Sequence, residues 1–184
     1  SREGAHEFLK LEASVPVILV LGGSQGAQAL NEAIVESLPL LLPKYQVIHQ
    51  TGDKNFAEVT ATARITNEKS EYAHRYHPYA YLNELALRMS AGVATLIISR
   101  AGSSIFEFAL WGIPSILVPL PKEVAAEDHQ SKNAFAYSRG CGAIVIEILA
   151  PGVSQGRVAH SLAAPDHRAV ASGKSGSDMS ELRL

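Results

Sequence analysis

The sequence predicts an α/β fold in which a parallel sheet is flanked by helices on both faces. Short apolar runs rich in Val, Ile and Leu alternate with segments of helical periodicity along the 184 residues. The runs are continuously apolar, which is typical of strands buried on both faces. Alternation of strand and helix produces right-handed parallel units, so the pattern predicts a Rossmann-like sheet.

The elements follow from this alternation in chain order. An amphipathic lead-in helix is predicted within residues 1–14. Strands are predicted at Val17–Leu21, at Tyr45–Gln50, within 71–79 before a turn at Pro78, and at Thr95–Ser99, Ser115–Pro119 and Ala143–Glu147. Helices are predicted at Ala27–Leu42, Asn55–Thr66, Leu82–Val93, Ser104–Trp111 and Glu127–Arg139, with Gly112 ending the fourth of these.

The composition changes after Ala150. Large apolar residues become rare there, and Gly, Ser, Ala and His dominate up to Leu184. We therefore predict one domain in residues 1–150 and an atypical, partly disordered tail in residues 151–184. The first residue is not Met, so we expect the chain to be part of a longer protein.

The bulk composition excludes several classes of protein. The formal net charge is -2 and no long basic block is present, so no nucleic-acid partner is expected. Cys141 has no second cysteine to pair with, which fits a reducing compartment. No apolar run has the length of a membrane span and no signal peptide is recognisable.

A glycine-rich turn follows the first predicted strand. It contains Gly22, Gly23, Ser24, Gln25 and Gly26. It is neither a G-x-G-x-x-G motif nor a P-loop. Glycines allow a ligand to approach the backbone, and the next helix offers N–H groups and a positive dipole end to a phosphate. The alternative is a tight turn in which Ser24 caps the helix.

A second strand–glycine–helix junction contains Gly102, Ser103 and Ser104, with Glu107 about one turn into the helix. Open α/β sheets bind ligands at such carboxyl-end junctions. The Glu107 carboxylate could accept hydrogen bonds from two ribose hydroxyls. Alternatively, Ser104 and Glu107 form a capping box, in which the carboxylate binds a backbone N–H.

A third junction contains His129, Gln130 and Asn133 at the start of a predicted helix. The Gln130 amide can both donate to and accept from sugar hydroxyls, although a polar first turn of a helix is the simpler interpretation. Adjacent acidic and histidine residues in one turn rarely bind a metal, so no metal site is expected. His49, His74 and His77 are paired with no nucleophile and are expected to be structural.

Four segments together resemble one known family. They are "GGSQGA" (22–27), "ISRAGSSIFEFALWGIPSILVPLP" (98–121), "DHQSKNA" (128–134) and "GAIVIE" (142–147). In this order they are similar to the carboxyl-terminal, donor-binding domain of the GT-B N-acetylglucosaminyltransferases of peptidoglycan synthesis. The resemblance covers about residues 1–150 and implies that the sheet is one half of a GT-B glycosyltransferase.

The resemblance implies UDP-GlcNAc as the donor substrate and no metal or other cofactor. It places Ser24 and the Gly102–Ser104 turn at the diphosphate and Glu107 at the ribose hydroxyls. Gln130, with His129, would bind the GlcNAc hydroxyls. "YLNEL" (81–85) resembles a family segment whose backbone near Leu82 contacts the uracil.

The implied reaction is an inverting transfer of GlcNAc to the C4 hydroxyl of lipid-linked MurNAc-pentapeptide, which converts lipid I to lipid II. The family's acceptor site, its general-base region and its docking surface for the inner face of the cytoplasmic membrane lie in an amino-terminal domain that this chain lacks. The chain alone is therefore expected to be inactive. Its catalytic residues are unknown, and its tail departs from the family pattern after about residue 148.

Three alternatives remain open from the sequence. The first is a UDP-GlcNAc epimerase of the same GT-B architecture, and the second is a separate donor-binding subunit that needs a membrane partner. The third is a Rossmann dehydrogenase. The broken glycine motif disfavours the dehydrogenase. No clear acidic residue lies at the end of the second strand, where a dehydrogenase would bind the ribose, and Asp53 is the nearest candidate.

Overall fold

A computed structural model describes residues 2–22, 27–100, 110–118 and 144–145 of the chain. These residues contain a six-stranded sheet in the order β3-β2-β1-β4-β5-β6, in which every pair of neighbouring strands is parallel. The strands are β1 (Val17–Leu21), β2 (Gln46–Gln50), β3 (Tyr76–Tyr79), β4 (Ala94–Arg100), β5 (Ser115–Val118) and β6 (Ile144–Val145). The predicted parallel sheet is confirmed.

The helix α1 (Arg2–Leu9) precedes β1. Three helices connect the first four strands, namely α2 (Gln28–Leu41), α3 (Phe56–Thr66) and α4 (Glu84–Val93), and a 3₁₀ turn at Ala73–Arg75 precedes β3. A further helix ends at Trp111, and Gly112 follows it with a left-handed φ of 65°. This confirms Gly112 as the end of that helix. No helix within the described ranges has both the length and the apolarity needed to cross a bilayer.

The sheet separates two apolar layers. Alternate strand residues such as Ile18 and Val20 pack on α2 and α3. Their neighbours Val17, Leu19 and Leu21 pack on α1 and α4. Because successive side chains of a strand point to opposite faces, the continuously apolar run of β1 is buried on both sides. The predicted placement of helices on both faces is confirmed.

Pro78 corrects one detail of the prediction. The sequence suggested a turn at this residue, but Pro78 lies inside β3, opposite His49 of β2. Proline has no N–H for a second strand partner, so it is confined to edge strands. β3 ends the described sheet order and therefore accommodates it.

The start of α4 is also later than predicted. The helix begins at Glu84 rather than Leu82, because Asn83 is its N-cap and the Asn83 Oδ1 accepts a hydrogen bond of 2.9 Å from the Ala86 N–H. Leu82 therefore lies in the connection between β3 and α4. The predicted helix at Glu127–Arg139 and the tail fall outside the described residues.

Arg75 links three segments of the chain through hydrogen bonds. Its guanidinium donates to Glu12 through Nε at 2.8 Å and through Nη2 at 3.1 Å. Its Nη1 donates to the carbonyls of Leu42 and Pro43, just after α2. This fork holds the segment before β1, the end of α2 and the start of β3 in fixed positions.

Candidate functional site

The carboxyl ends of β1 and β4 lie side by side. Leu21, the last residue of β1, is in register with Ser99 of β4. The chain builds β2 and β3 on one side of β1 and then returns to build β4 on the other. Open α/β sheets bind ligands at such a reversal, because the loops that follow the two strands diverge and leave a crevice.

Three predicted site segments follow three neighbouring strands. The glycine turn at 22–26 follows β1, the turn at 102–104 follows β4, and the segment at 128–134 follows β5. Since these strands are parallel neighbours, their carboxyl ends lie at the same edge of the sheet. The topology therefore brings together the strand ends that precede the three segments, although these are far apart in the sequence.

Most of the predicted site residues lie outside the described residues, and their roles stay predictions. They are Gly23, Ser24, Gln25, Gly26, Gly102, Ser103, Ser104, Glu107, His129, Gln130 and Asn133. Leu82 and the strand ends that carry the other segments are described.

The entrance to the glycine turn is fixed from both sides. The Gly22 N–H donates to the Gln50 carbonyl of β2 at 3.2 Å. The Ser99 hydroxyl of β4 donates to the Leu21 carbonyl at 3.3 Å. Both neighbouring strands therefore hold the chain where it leaves β1, which gives the turn a defined starting direction.

The helix after this turn has an unusual N-cap. Ala27 occupies the position, with an extended backbone, so the suggested capping role of Ser24 is wrong. Alanine has no side-chain oxygen, and the first turn of α2 contains no acidic residue. The cap side chain therefore satisfies none of the first N–H groups, and no carboxylate in the first turn of α2 opposes the positive dipole end.

A buried polar network lies behind the first turn of α2. The Asn31 Nδ2 donates to the Thr51 carbonyl at 3.0 Å, while the Asn31 Oδ1 lies 3.0 Å from His49 Nε2. His49 Nδ1 lies 2.9 Å from the Tyr76 hydroxyl. Burial lowers the pKa of His49 to about 3. This histidine is structural, as expected, because both ring nitrogens are engaged inside the protein.

Leu82 lies at the same edge of the sheet. Its side chain is 2% exposed and packs among the apolar residues on the α1 and α4 face. Its N–H donates to Gln50 Oε1 at 2.9 Å. The segment just before it continues the β2–β3 ladder, since the Thr51 N–H donates to the Tyr79 carbonyl and the Gly52 N–H donates to the Ala80 carbonyl.

The sequence analysis missed Gln50 and Arg100. Gln50 ends β2 and contacts two of the predicted site segments. Arg100 ends β4, one residue beyond the Leu21–Ser99 pair, and burial lowers the pKa of its half-buried guanidinium. Each is a polar residue at the last position of a largely buried strand, and this signal could have identified both. Within the described ranges, no three metal-ligating side chains cluster.

The chain matches one protein family over most of its length. The family model for the glycosyltransferase family 28 C-terminal domain matches residues 17–148. This range includes the sheet from β1 to β6 and all of the predicted site segments.

Two curated relatives carry the name UDP-N-acetylglucosamine--N-acetylmuramyl-(pentapeptide) pyrophosphoryl-undecaprenol N-acetylglucosamine transferase. The protein of Exiguobacterium sp. is 42% identical over 135 residues, which are 72% of this chain and 34% of the relative. The protein of Treponema denticola is 33% identical over 147 residues, which are 78% of this chain and 37% of the relative. The chain thus spans little more than a third of the length of these relatives.

Solved structures confirm the fold. The crystal structure of Acinetobacter baumannii MurG is 26% identical, with a TM-score of 0.64, over 88% of this chain and 43% of that protein. UDP-GlcNAc 2-epimerase from Neisseria meningitidis has a TM-score of 0.54 at 14% identity, over 88% of this chain and 38% of that protein, a likeness that shows the fold alone. The predicted Rossmann-like half of a GT-B glycosyltransferase is confirmed. The chain belongs to glycosyltransferase family 28 and contains its carboxyl-terminal domain.

Proposed function

We propose that this chain is the donor-binding half of an inverting glycosyltransferase. The complete protein would move GlcNAc from UDP-GlcNAc to the C4 hydroxyl of lipid-linked MurNAc-pentapeptide, the conversion of lipid I to lipid II. The observation that carries the proposal is the reversal of strand order at β1 and β4, with a glycine turn after each strand, inside the region that matches family 28. The names of the relatives supply the substrates.

In the proposed reaction the acceptor hydroxyl attacks the anomeric carbon on the face opposite the diphosphate. The bond from that carbon to the diphosphate oxygen breaks, and UDP leaves with the electron pair. The hydroxyl proton passes to a base in the acceptor domain. The donor-binding half stabilises the negative charge that develops on the diphosphate, a contribution that is often the largest in such catalysis.

The frame of the site suits this role. The start of α2, whose cap side chain is only a methyl group, directs N–H groups and a positive dipole end toward the glycine turn. The Arg100 guanidinium adds a cation at the end of the neighbouring strand. These groups supply positive potential without a metal ion, so we propose that the transfer needs no metal or other cofactor.

Most of the predicted site residues have a named role in the proposal. Ser24 and the Gly102–Ser104 turn bind the diphosphate, and Glu107 binds the ribose hydroxyls. Gln130, together with His129 and Asn133, binds the GlcNAc hydroxyls. The backbone near Leu82 contacts the uracil.

The acceptor implies a location for the complete protein. A lipid-linked acceptor must be met at a membrane surface, so we propose that the complete protein acts at the inner face of the cytoplasmic membrane. We propose that the acceptor site and the base lie in the part of the complete protein that corresponds to the unmatched length of the relatives. We therefore expect the chain alone to bind the donor and to transfer no sugar.

A calorimetric titration tests the proposal. UDP, UDP-GlcNAc and NAD are added in turn to the chain, whose folding is checked by circular dichroism. UDP and UDP-GlcNAc should bind and NAD should not. Binding of NAD alone would support a dehydrogenase, and no binding of either uridine nucleotide would contradict a donor site in this half.

Glu107 offers a sharper test of the same site. Replacing Glu107 by Ala should raise the Kd for UDP about ten- to a hundredfold, because hydrogen bonds to a charged group are lost. Glu107→Gln is the matched control, since glutamine keeps the capping function but not the charge. It should keep the melting temperature of the parent and still bind UDP more weakly. Unchanged UDP affinity in a folded Glu107→Ala variant would assign this residue to the capping box.

A further inference from the structure

We propose that Gln50 is a positioning residue that fixes the uracil-contacting segment, residues 81–85, relative to the glycine turn. The inference rests on the proposed donor site. It concerns a residue that contacts neither the diphosphate nor the sugar in that proposal and acts through its neighbours.

Gln50 connects the two segments through two different groups. Its main-chain carbonyl accepts the Gly22 N–H at 3.2 Å, at the start of the glycine turn. Its side-chain Oε1 accepts the Leu82 N–H at 2.9 Å, in the uracil-contacting segment. Gln50 is the last residue of β2 and is only 7% exposed. One buried residue therefore sets the spacing of both segments.

The side chain of Gln50 supplies a hydrogen-bond acceptor to Leu82, which the backbone ladder between β2 and β3 does not reach. Backbone N–H groups of Thr51 and Gly52 hold Tyr79 and Ala80, and these bonds survive any side-chain substitution. Leu82 lies beyond this ladder, and its side chain is anchored in the core. An unpaired N–H there would be costly, because it is buried away from water. The Gln50 amide oxygen is the acceptor that keeps this N–H paired.

Asn83, the next residue, fixes the backbone between Leu82 and α4. Asn83 caps the helix through its Oδ1, which accepts the Ala86 N–H at 2.9 Å. The backbone around Leu82 is thus fixed by Gln50 on one side and by the helix cap on the other. Rigid placement matters here because recognition requires groups held within about 0.5 Å of the productive geometry.

Base selectivity is the property that this placement would control. Uracil and cytosine have similar shapes, but a carbonyl acceptor of uracil is replaced by an amino donor in cytosine. A backbone that contacts the base can distinguish the two only if its own donors and acceptors are fixed. We therefore expect Gln50 to govern the preference for UDP over CDP more than the affinity for the diphosphate.

Two variants of the full 184-residue chain separate the hydrogen bond from simple packing. Gln50→Met keeps the approximate volume and removes the strong acceptor, since a thioether is a weak one. Gln50→Glu keeps an oxygen acceptor whether the carboxyl group is ionised or protonated. If Gln50→Met does not fold, Gln50→Ser is measured in its place. Serine is shorter than glutamine, so a water molecule in the vacated space would accept from the Leu82 N–H and hold it less rigidly.

The first measurement is the ratio of the Kd values for CDP and UDP. In Gln50→Met the Kd for UDP should rise about tenfold, with a smaller change for CDP, so the ratio should fall. Gln50→Glu should restore the ratio. An unchanged ratio, whether both Kd values rise equally or neither changes, would overturn its positioning role.

A second measurement needs no nucleotide. Amide hydrogen exchange at Leu82 should speed up at least about tenfold in Gln50→Met and stay slow in Gln50→Glu. Unchanged exchange would overturn the proposed bond. If the parent chain does not bind UDP at all, the donor-site proposal fails, and the base-selecting role of Gln50 fails with it. If the parent chain prefers UDP over CDP and Gln50→Met keeps this preference, only the proposed role of Gln50 is refuted.

Discussion

Among single residues, the hydrogen-bond partners of His49 determine which of its two ring nitrogens carries the proton. The Asn31 Nδ2 donates to the Thr51 carbonyl, so the Asn31 Oδ1 faces His49 and must accept from Nε2–H. His49 Nδ1 then carries no proton and accepts from the Tyr76 hydroxyl. A neutral ring satisfies every group in the network, and burial disfavours a second proton.

This network predicts acid sensitivity. The pKa of His49 is lowered from 6.5 to about 3 by burial. Between these values the unfolded chain binds a proton that the folded chain does not, so acidification favours unfolding. We expect the contribution of His49 to the free energy of unfolding to fall by up to about 1.4 kcal/mol per pH unit below pH 6. Urea unfolding at pH 7, 6, 5 and 4 measures this slope.

A matched variant isolates His49 from the carboxylates that titrate in the same range. Glutamine can also donate to Asn31 and accept from Tyr76, but it does not titrate. In His49→Gln the free energy of unfolding should depend less steeply on pH between 6 and 4 than in the parent. Parallel curves for the two proteins would show that His49 does not limit acid stability.

At the scale of elements, two glycines should respond to alanine in opposite directions. Gly92 lies in α4, where an added Cβ would meet no atom within 4 Å. Gly92→Ala should therefore stabilise the fold by up to about 1 kcal/mol. Gly112 has a φ of 65°, and an added Cβ there also meets no atom within 4 Å. Gly112→Ala should destabilise the fold by about 1–2 kcal/mol through backbone strain alone.

Thermal unfolding of both alanine variants and of Gly112→Asn measures these effects. Asparagine tolerates the left-handed region better than alanine, so Gly112→Asn should lose less stability. A loss in Gly92→Ala similar to that in Gly112→Ala would contradict the explanation from backbone conformation.

The elements also show which boundaries local sequence could predict. The starts of β1 and β5 and the end of α3 agree with the sequence prediction, because apolar periodicity and turn residues mark them. Pro78 was misplaced, because its tolerance depends on β3 being at the edge of the described sheet order. The start of α4 was misplaced because Asn83 was not recognised as an N-cap.

At the scale of the whole molecule, the order of the strands produces the site. The return of the chain from β3 to β4 places strands next to each other that are more than 70 residues apart in sequence. The Ser99 hydroxyl bond to the Leu21 carbonyl joins their carboxyl ends. A glycine turn after β1 and another after β4 can act on one ligand only because of this pairing.

For the whole molecule, we expect removal of the tail, residues 151–184, to leave the domain intact. Residues 151–184 contain few large apolar side chains, and the family match ends at residue 148. Truncation after Ala150 should leave the melting temperature and the Kd for UDP unchanged. A melting temperature lowered by more than a few degrees, or weaker UDP binding, would show that the tail is part of the domain.

Periodicity and short motifs were enough to predict the sheet class, the chain order of the described strands and helices, and the family, because this information is local. The pairing of neighbouring strands, the N-cap of α2 at Ala27 rather than Ser24, and the bonds of Gln50 to Gly22 and Leu82 became visible only in the folded chain. The physical reason is that burial leaves a local pattern along the chain. Pairing between distant residues depends instead on how the whole chain packs, and no short stretch of sequence records it.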